Sequence, residues 1–414
     1  MTVAPPPSTA HTAGLAGTTL RAAAIVDLDA IRQSTAELVR RAGPAAVMAV
    51  VKAEAYGHGM LPAAQAALQA GATWLGTSAL EEGLQLRAAG ITAPILSWLA
   101  APGEPLHEGV AAGIDLSASA PWALQEIADA AQIADRPARV HLKIDTGLHR
   151  AGATAADWPD LLDAAGRLQA AGVVEIVGIW SHFAYADEPG HPTIGRQIEA
   201  FRAGLEVAER AGIRPQIRHL ANSAATLTLP EAHFDLVRPG VSVYGISPGP
   251  SVGTPEELGL RPAMTLRART ALTKQVPEGV GVSYGHRYIT PSATRLALVP
   301  LGYADGIPRA ACNKAEVLLG GRRRTIAGTV CMDQFVLDVG DDPVREGDEA
   351  ILFGPGDEGE PTAEDWARAL DTIGYEVVSR VGRRVPRLYR DRGVLLPLTT
   401  EPAGTAGPAS SERT

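Results

Sequence analysis

The chain has 414 residues, 46% of them apolar and 20% charged, with a formal net charge of −9 at pH 7 and two cysteines, Cys312 and Cys331. That length accommodates a large barrel plus a smaller module, and the composition excludes a disordered chain. The acidic balance argues against a general nucleic-acid binder, and two cysteines are too few for a disulfide framework or a cysteine-built zinc site. In chain order, residues 1–20 lack a basic segment followed by an apolar one, so they read as a disordered tail rather than a secretory signal. From about Arg21, short apolar runs at 47–52, 73–77, 94–98, 114–118, 140–145, 176–181, 216–220 and 236–238 alternate with Ala/Leu-rich stretches of helical period, such as "PWALQEIADAAQ". Eight strands, each followed by a crossover, predict an α/β fold, a parallel (β/α)8 TIM-type barrel over 21–260. Past residue 259 the runs are short, β-rich and separated by turn signals, with one helix near 362–370. They predict a smaller, mostly antiparallel β domain over 261–400, and 401–414 reads as a second disordered tail. No apolar run reaches the length of a membrane span, so the expected setting is the cytoplasm, without a membrane partner.

Lysine is rare. It occurs only at Lys52, Lys143, Lys274 and Lys314, so 33 of the 37 cationic Lys and Arg residues are arginine. A lysine that survives such a bias is a candidate for work that arginine cannot do, such as condensing with a carbonyl as a deprotonated amine. Lys52 ends the first strand run, where a buried ammonium is expensive.

Residues at the C-terminal ends of barrel strands converge on one mouth. By that rule Lys52, Lys143 and Asp145, His182, His219 with Asn222 and Ser223, and Arg238 with Gly240 all face the same opening. Each has a bland alternative. A strand-end histidine is usually a core or capping residue, an arginine there usually sits in an ion pair, and Lys52 alone could reach solvent along its stem. Those alternatives must hold independently at one barrel face, and the coincidence weakens them. A neutral lysine, a cradle of backbone N–H and hydroxyl groups (Tyr56, Ser223, Gly240, Val241) and a partner for a ring nitrogen suit pyridoxal 5′-phosphate. Arg238 cannot accept a proton and would keep that nitrogen neutral.

In this order, "VVKAEAYGHG", "HLKIDTGLHRAG", "SHFAYAD", "HLANSAA", "VRPGVSVYG", "VSYGHRY", "LGYADGIPR", "GTVCMDQ" and "GYEVVSRVGRRVPR" resemble the motifs of bacterial alanine racemases. The resemblance covers about Ala22 to Leu396. It implies a pyridoxal-phosphate barrel followed by a β domain, interconverting L- and D-alanine and supplying D-alanine for peptidoglycan. Lys52 is then the cofactor lysine and the base on the D-face, and Tyr284 the opposing base on the L-face. Inverting a Cα needs proton donors on both faces, and a free tyrosine titrates near ~10, too high for a base at neutrality. The family implies a hydrogen-bonded chain from Arg238 through His219 to lower it, with His182 beside the cofactor ring. It further implies Tyr375 and Asn222 near the phosphate, Arg150 on the substrate carboxylate, and Lys143 carbamylated so as to orient Arg150. Tyr284 with Met332 and Tyr303 would complete the partner's site in a homodimer.

Two departures stand out. Glu54 occupies an amide or aspartate position and is expected to point the same way as Lys52 along a strand. His149 replaces a small residue before Arg150. Alternatives are a serine-preferring or broad-spectrum racemase, a decarboxylase of the same fold, a barrel that only carries the cofactor, and a metal-dependent barrel hydrolase. The decarboxylase motifs are not visible, and a hydrolase would want a His-x-His or clustered carboxylates at strand ends. No metal is expected.

Overall fold

The computed structural model describes Leu15 and residues 18–396; the rest of the expected tails lies outside these residues. The first strand, β1 (Ala22–Asp27), runs into a helix over Leu28–Ala42. Asp27 caps that helix, its Oδ1 accepting from the backbone N–H groups of Asp29 at 2.9 Å and Ala30 at 3.1 Å.

Eight short strands follow: β2 (Ala46–Val50), β3 (Trp74–Thr77), β4 (Ile95–Ser97), β5 (Asp115–Ala118), β6 (Ala138–Lys143), β7 (Val174–Trp180), β8 (Ile217–His219) and β9 (Leu236–Val237). Each falls on one of the eight predicted runs. They pair in parallel from β2 through β8, and β9 pairs with β2 on its other side. Between β8 and β9 the Asp235 N–H donates to the Arg218 carbonyl at 3.1 Å and the Arg238 N–H to the Ala221 carbonyl at 2.9 Å. An Arg218–Asp235 ion pair reinforces the seam and closes the expected (β/α)8 barrel. Met48, Trp74, Leu96, Val177 and Leu236 fill the barrel floor, so it is packed rather than porous.

The second module contains β10 (Met264–Arg269), β11 (Leu272–Val276), β12 (Gly281–Val282), β13 (Tyr288–Ile289), β14 (Thr294–Val299), β15 (Glu316–Leu319), β16 (Arg322–Thr325), β17 (Phe335–Gly340), β18 (Glu349–Phe353), β19 (Arg387–Asp391) and β20 (Val394–Leu395). A seven-stranded sheet in the order β16-β15-β18-β10-β1-β19-β20 packs with the three-stranded β11-β14-β17. Along β17 burial alternates strictly, with Phe335, Leu337 and Val339 facing in. The helix foreseen near 362–370 spans Ala363–Leu370 and opens on a capping box between Thr362 and Asp365.

One feature departs from the reading of 21–260 as barrel. β1 lies inside the seven-stranded sheet, antiparallel to β10 and parallel to β19. Eight strands already close the barrel, and Ala23 and Ile25 bury against Leu15 and Leu388 in the β domain. Among the described residues, no helix is long and apolar enough to cross a membrane.

Candidate active site

Lys52 follows β2 at the barrel mouth, its ammonium 5.7 Å from the centre of the Trp98 ring. Burial, and then the positive charge of Arg150, push its amine below the usual lysine range, with Glu82 opposing. Past Lys52 the backbone makes a left-handed turn: Ala53, Glu54, Ala55 and Tyr56 all have φ between 52° and 55°. Each such residue costs about 1–2 kcal/mol, so the surroundings must hold the turn. Glu82 Oε1 accepts from the Ala53 N–H at 2.6 Å. From the β domain, Arg387 Nε donates to the Gly57 carbonyl at 2.9 Å. A side chain at Gly59 would collide with the Tyr389 hydroxyl. The second domain therefore clamps the segment that carries the lysine.

This turn corrects the expectation for Glu54. β2 ends at Val50, so Glu54 does not share a strand face with Lys52. It is exposed, within 3.4 Å of the Met60 N–H and 3.5 Å of Arg383. The acid that acts on Lys52 is Glu82.

Arg238, at the end of β9, is buried, and its guanidinium is held from four sides. It donates to the carbonyls of Ser181 (2.7 Å) and Leu220 (3.2 Å), and to Nδ1 of His219 (3.2 Å) and of His182 (3.3 Å). Burial pushes it down to about 9, still charged at neutral pH. Burial first, and then the charge of Arg238, hold both histidines well below the ordinary imidazole value and keep them neutral. Nε2 of His219 is engaged with His141 at 2.8 Å, so neither of its nitrogens remains for a phenol. His182 has only Nδ1 committed to Arg238.

Trp180 forms one wall. It stacks on His219 with an interplanar angle of 2°, and Lys143 Nζ lies 4.1 Å from its ring centre. Lys143 does not pair with Asp145, whose Oδ1 accepts from the N–H groups of Gly147, Leu148 and His149. Burial, followed by the charges of Arg238 and Arg150, lowers the Lys143 amine to about 7. His149 is largely exposed, and its Nδ1 lies 3.1 Å from Asp145 Oδ2, which shapes the loop before Arg150. Arg150 itself is exposed at the mouth.

The residues present fit a phosphate-bearing cofactor. Ser223 Oγ accepts from the Gly240 N–H at 2.8 Å, and Asn222 caps the short helix Ser223–Thr228. A Cβ on Gly240 would come 2.3 Å from the Tyr56 hydroxyl, so only glycine leaves this hollow open. The Tyr56 and Tyr375 rings lie 6.1 Å apart, and burial raises both phenols, which stay protonated donors. With Val241 next in the chain, the predicted cradle residues are gathered together.

Tyr284, Tyr303 and Met332 stand elsewhere, on one face of the β domain, 74%, 42% and 52% exposed. Their loops are tied together: the Tyr303 N–H donates to the Cys331 carbonyl at 3.0 Å, and Thr329 Oγ1 to the Tyr284 carbonyl at 2.7 Å. Among the described residues no hydrogen bond or ring contact joins Tyr284 to Lys52, Arg238 or His182.

Sequence reasoning passed over Trp98, Trp180, Glu82, His141 and Asp115. His141 had a readable signal, because it lies two residues before Lys143 on β6 and so faces the same side.

His58 adds a pH dependence. It is buried, with Nδ1 near the Ala55 carbonyl at 2.9 Å, and burial lowers it to about 4 despite that bond. The unfolded chain takes up a proton near pH 6.5 and the native state does not, so stability is lost as pH falls from about 6.5 towards 4. His58 alone should account for about 3 kcal/mol by the lower limit. Urea unfolding between pH 7 and 4.5 is expected to show a falling midpoint, with a shallower slope in His58→Asn. Parallel slopes for the two proteins would contradict this.

The fold and mouth together define a barrel enzyme that gathers a lysine with a lowered amine and a buried arginine at the C-terminal ends of its strands. Residues 26–248 match the family "Alanine racemase, N-terminal domain", and residues 263–389 match "Alanine racemase, C-terminal domain". The chain belongs to the alanine racemase family. It is 68% identical to an alanine racemase of Frankia casuarinae, over 90% of this chain and 97% of that protein, and 64% identical to one of Salinispora tropica, over 88% and 97%. The crystal structure of an alanine racemase from Streptomyces lavendulae superposes with a TM-score of 0.89 at 57% identity, covering 90% of this chain and 98% of that one.

Proposed function

We propose that this chain interconverts L- and D-alanine with pyridoxal 5′-phosphate, in a cytoplasmic homodimer whose two sites each draw on both subunits, supplying D-alanine for peptidoglycan. The observation that carries the reading is the division of the predicted machinery. Lys52 and the cradle are gathered at the barrel mouth, whereas Tyr284, Tyr303 and Met332 are exposed on the other domain and need a second copy to meet a mouth.

Bound pyridoxal phosphate would supply an aldehyde and a conjugated ring that make the Cα proton of an attached amino acid labile. Tyr56, Ser223, Gly240, Val241, Asn222 and Tyr375 would hold its phosphate end, and Lys52 would carry it. The lowered amine of Lys52 also takes and returns the proton on the D-face of the substrate. Arg238 only donates hydrogen bonds, so it keeps a ring nitrogen unprotonated and restrains electron withdrawal. Arg150 receives the substrate carboxylate. Lys143, neutral in part near pH 7, is nucleophilic enough to attack carbon dioxide. An N–C bond forms, one proton leaves, and the resulting carbamate anion faces Arg150. The partner's phenol works on the L-face. His182, with one nitrogen on Arg238 and the other uncommitted, links that phenol to the arginine better than the enclosed His219 does.

The test is chiral chromatography of the purified protein given pyridoxal phosphate and either enantiomer of alanine, with serine in parallel. Both alanine solutions are expected to converge on an equal mixture, faster than serine. A protein that takes up the cofactor and leaves L-alanine unchanged would overturn the reading, and faster conversion of serine would overturn the choice of substrate.

A further inference from the structure

A line of hydrogen bonds runs from Arg238 down through the barrel to its far end. Arg238 Nη1 lies 3.2 Å from His219 Nδ1, His219 Nε2 lies 2.8 Å from His141 Nδ1, and His141 Nε2 lies 3.1 Å from Asp115 Oδ2. Arg139 Nε then donates to Asp115 Oδ1 at 2.8 Å and Nη2 to Oδ2 at 3.3 Å, while Nη1 reaches Glu175 at 3.2 Å in partial contact with solvent. The two histidine side chains are fully enclosed and that of Asp115 nearly so. The fold makes room for this line on purpose. A Cβ on Gly178 would come 2.2 Å from His141 Nδ1, and the pairing of β6 with β7 shifts register at His141.

The line can be satisfied in only one direction. A guanidinium has no acceptor, so His219 Nδ1 must offer a lone pair and carry its proton on Nε2. That proton points at His141 Nδ1, which must then accept, leaving the His141 proton on Nε2 facing the carboxylate. A doubly protonated His141 would turn Nδ1 into a donor, force the His219 proton round to Nδ1, and set it against the N–H of Arg238. Burial alone would raise the Asp115 carboxyl, but His141 and Arg139 hold it below the usual carboxylate range, so it remains an acceptor.

We propose that Asp115 is a positioning residue for the racemase. Through His141 and His219 it fixes the hydrogen-bond direction at Arg238, and so holds the guanidinium in the state it presents to the cofactor ring. This rests on the activity proposed above. The logic is that of a buried carboxylate setting a histidine tautomer for a catalytic neighbour. Asparagine at 115 cannot serve both neighbours. With its amide nitrogen toward Arg139 it meets a donor, and with that nitrogen toward His141 it reverses the line. Glutamine at 141 preserves the direction, since its oxygen accepts from His219 while its nitrogen donates to Asp115.

Neutron crystallography of the deuterated holoenzyme is expected to find both ring deuterons on Nε2. In steady-state assays Asp115→Asn is expected to lower kcat by roughly ten- to a hundredfold with KM for alanine little changed, and to shift the cofactor's visible absorbance. His141→Gln is expected to lose much less of kcat than Asp115→Asn and to shift the absorbance less. A deuteron on His219 Nδ1 would overturn the proposal, as would wild-type kcat in Asp115→Asn, or an equal loss in His141→Gln. Deuteron positions and absorbance do not depend on turnover, so a wild-type protein that failed to racemise alanine would refute the proposed activity while leaving the tautomer result intact.

Discussion

Replacing Lys52 with alanine is expected to give a folded protein that is colourless after reconstitution, retains no label on borohydride reduction, and racemises alanine at least roughly 10⁴-fold more slowly. A loss of that size follows from the two tasks proposed for one side chain, carrying the cofactor and moving the D-face proton. Folding should not suffer. Lys52 is held with its amine depressed by burial, so removing it relieves a desolvation cost, and the left-handed strain begins only at Ala53. A yellow Lys52→Ala protein whose absorbance resists dialysis and shifts on reduction would place the attachment at another lysine.

Tyr284→Phe is expected to keep cofactor binding and absorbance while slowing racemisation by roughly 10²–10⁴-fold, the usual share of a general acid–base group. Both directions must slow together, because the equilibrium constant between enantiomers is one. Isotope exchange separates the faces. In deuterated water the variant should still exchange the Cα hydrogen of D-alanine, where Lys52 works, and largely lose exchange from L-alanine. Exchange of both at equal rates would mean that Tyr284 is not the second base. Mixing the two inactive variants tests the shared site. In a dimer of one Lys52→Ala and one Tyr284→Phe chain, one site holds both defects and the other holds none. Random reassociation should therefore restore about a quarter of wild-type activity. No recovery in mixtures shown to contain mixed dimers would put Lys52 and Tyr284 to work within one chain.

Much of this architecture was written locally. The eight barrel strands are apolar runs of the right length between helical stretches, and Lys52, Lys143, His219 and Arg238 sit at or just past strand ends, so they reach the mouth whatever the details of packing. The scarcity of lysine made Lys52 conspicuous. What stayed hidden depends on distant partners. "KAEAY" has the composition of an ordinary right-handed helix, and it winds left-handed because Glu82 and Arg387 hold its backbone from outside. The place of β1 is set by neighbours more than two hundred residues downstream, to which local periodicity is blind. Asp115 opens β5, and its isolation from water appears only once β5 and β6 are side by side. That His219 has both ring nitrogens engaged, whereas the bond of His182 to Arg238 uses Nδ1, is likewise something no motif encodes.

The strand β1 has a consequence for how the molecule is put together. Val26 is paired with Met264, and the Asp27 N–H bonds the Ala263 carbonyl, so the polypeptide leaves for the barrel and comes back at one point. In topological terms the barrel is a long excursion spliced into a β protein, hung from a two-stranded stem. During synthesis β1 precedes both of its partners, β10 and β19, by the whole length of the barrel, so it cannot pair until the excursion has been made. The halves are thus joined at birth, and neither is a detachable cassette.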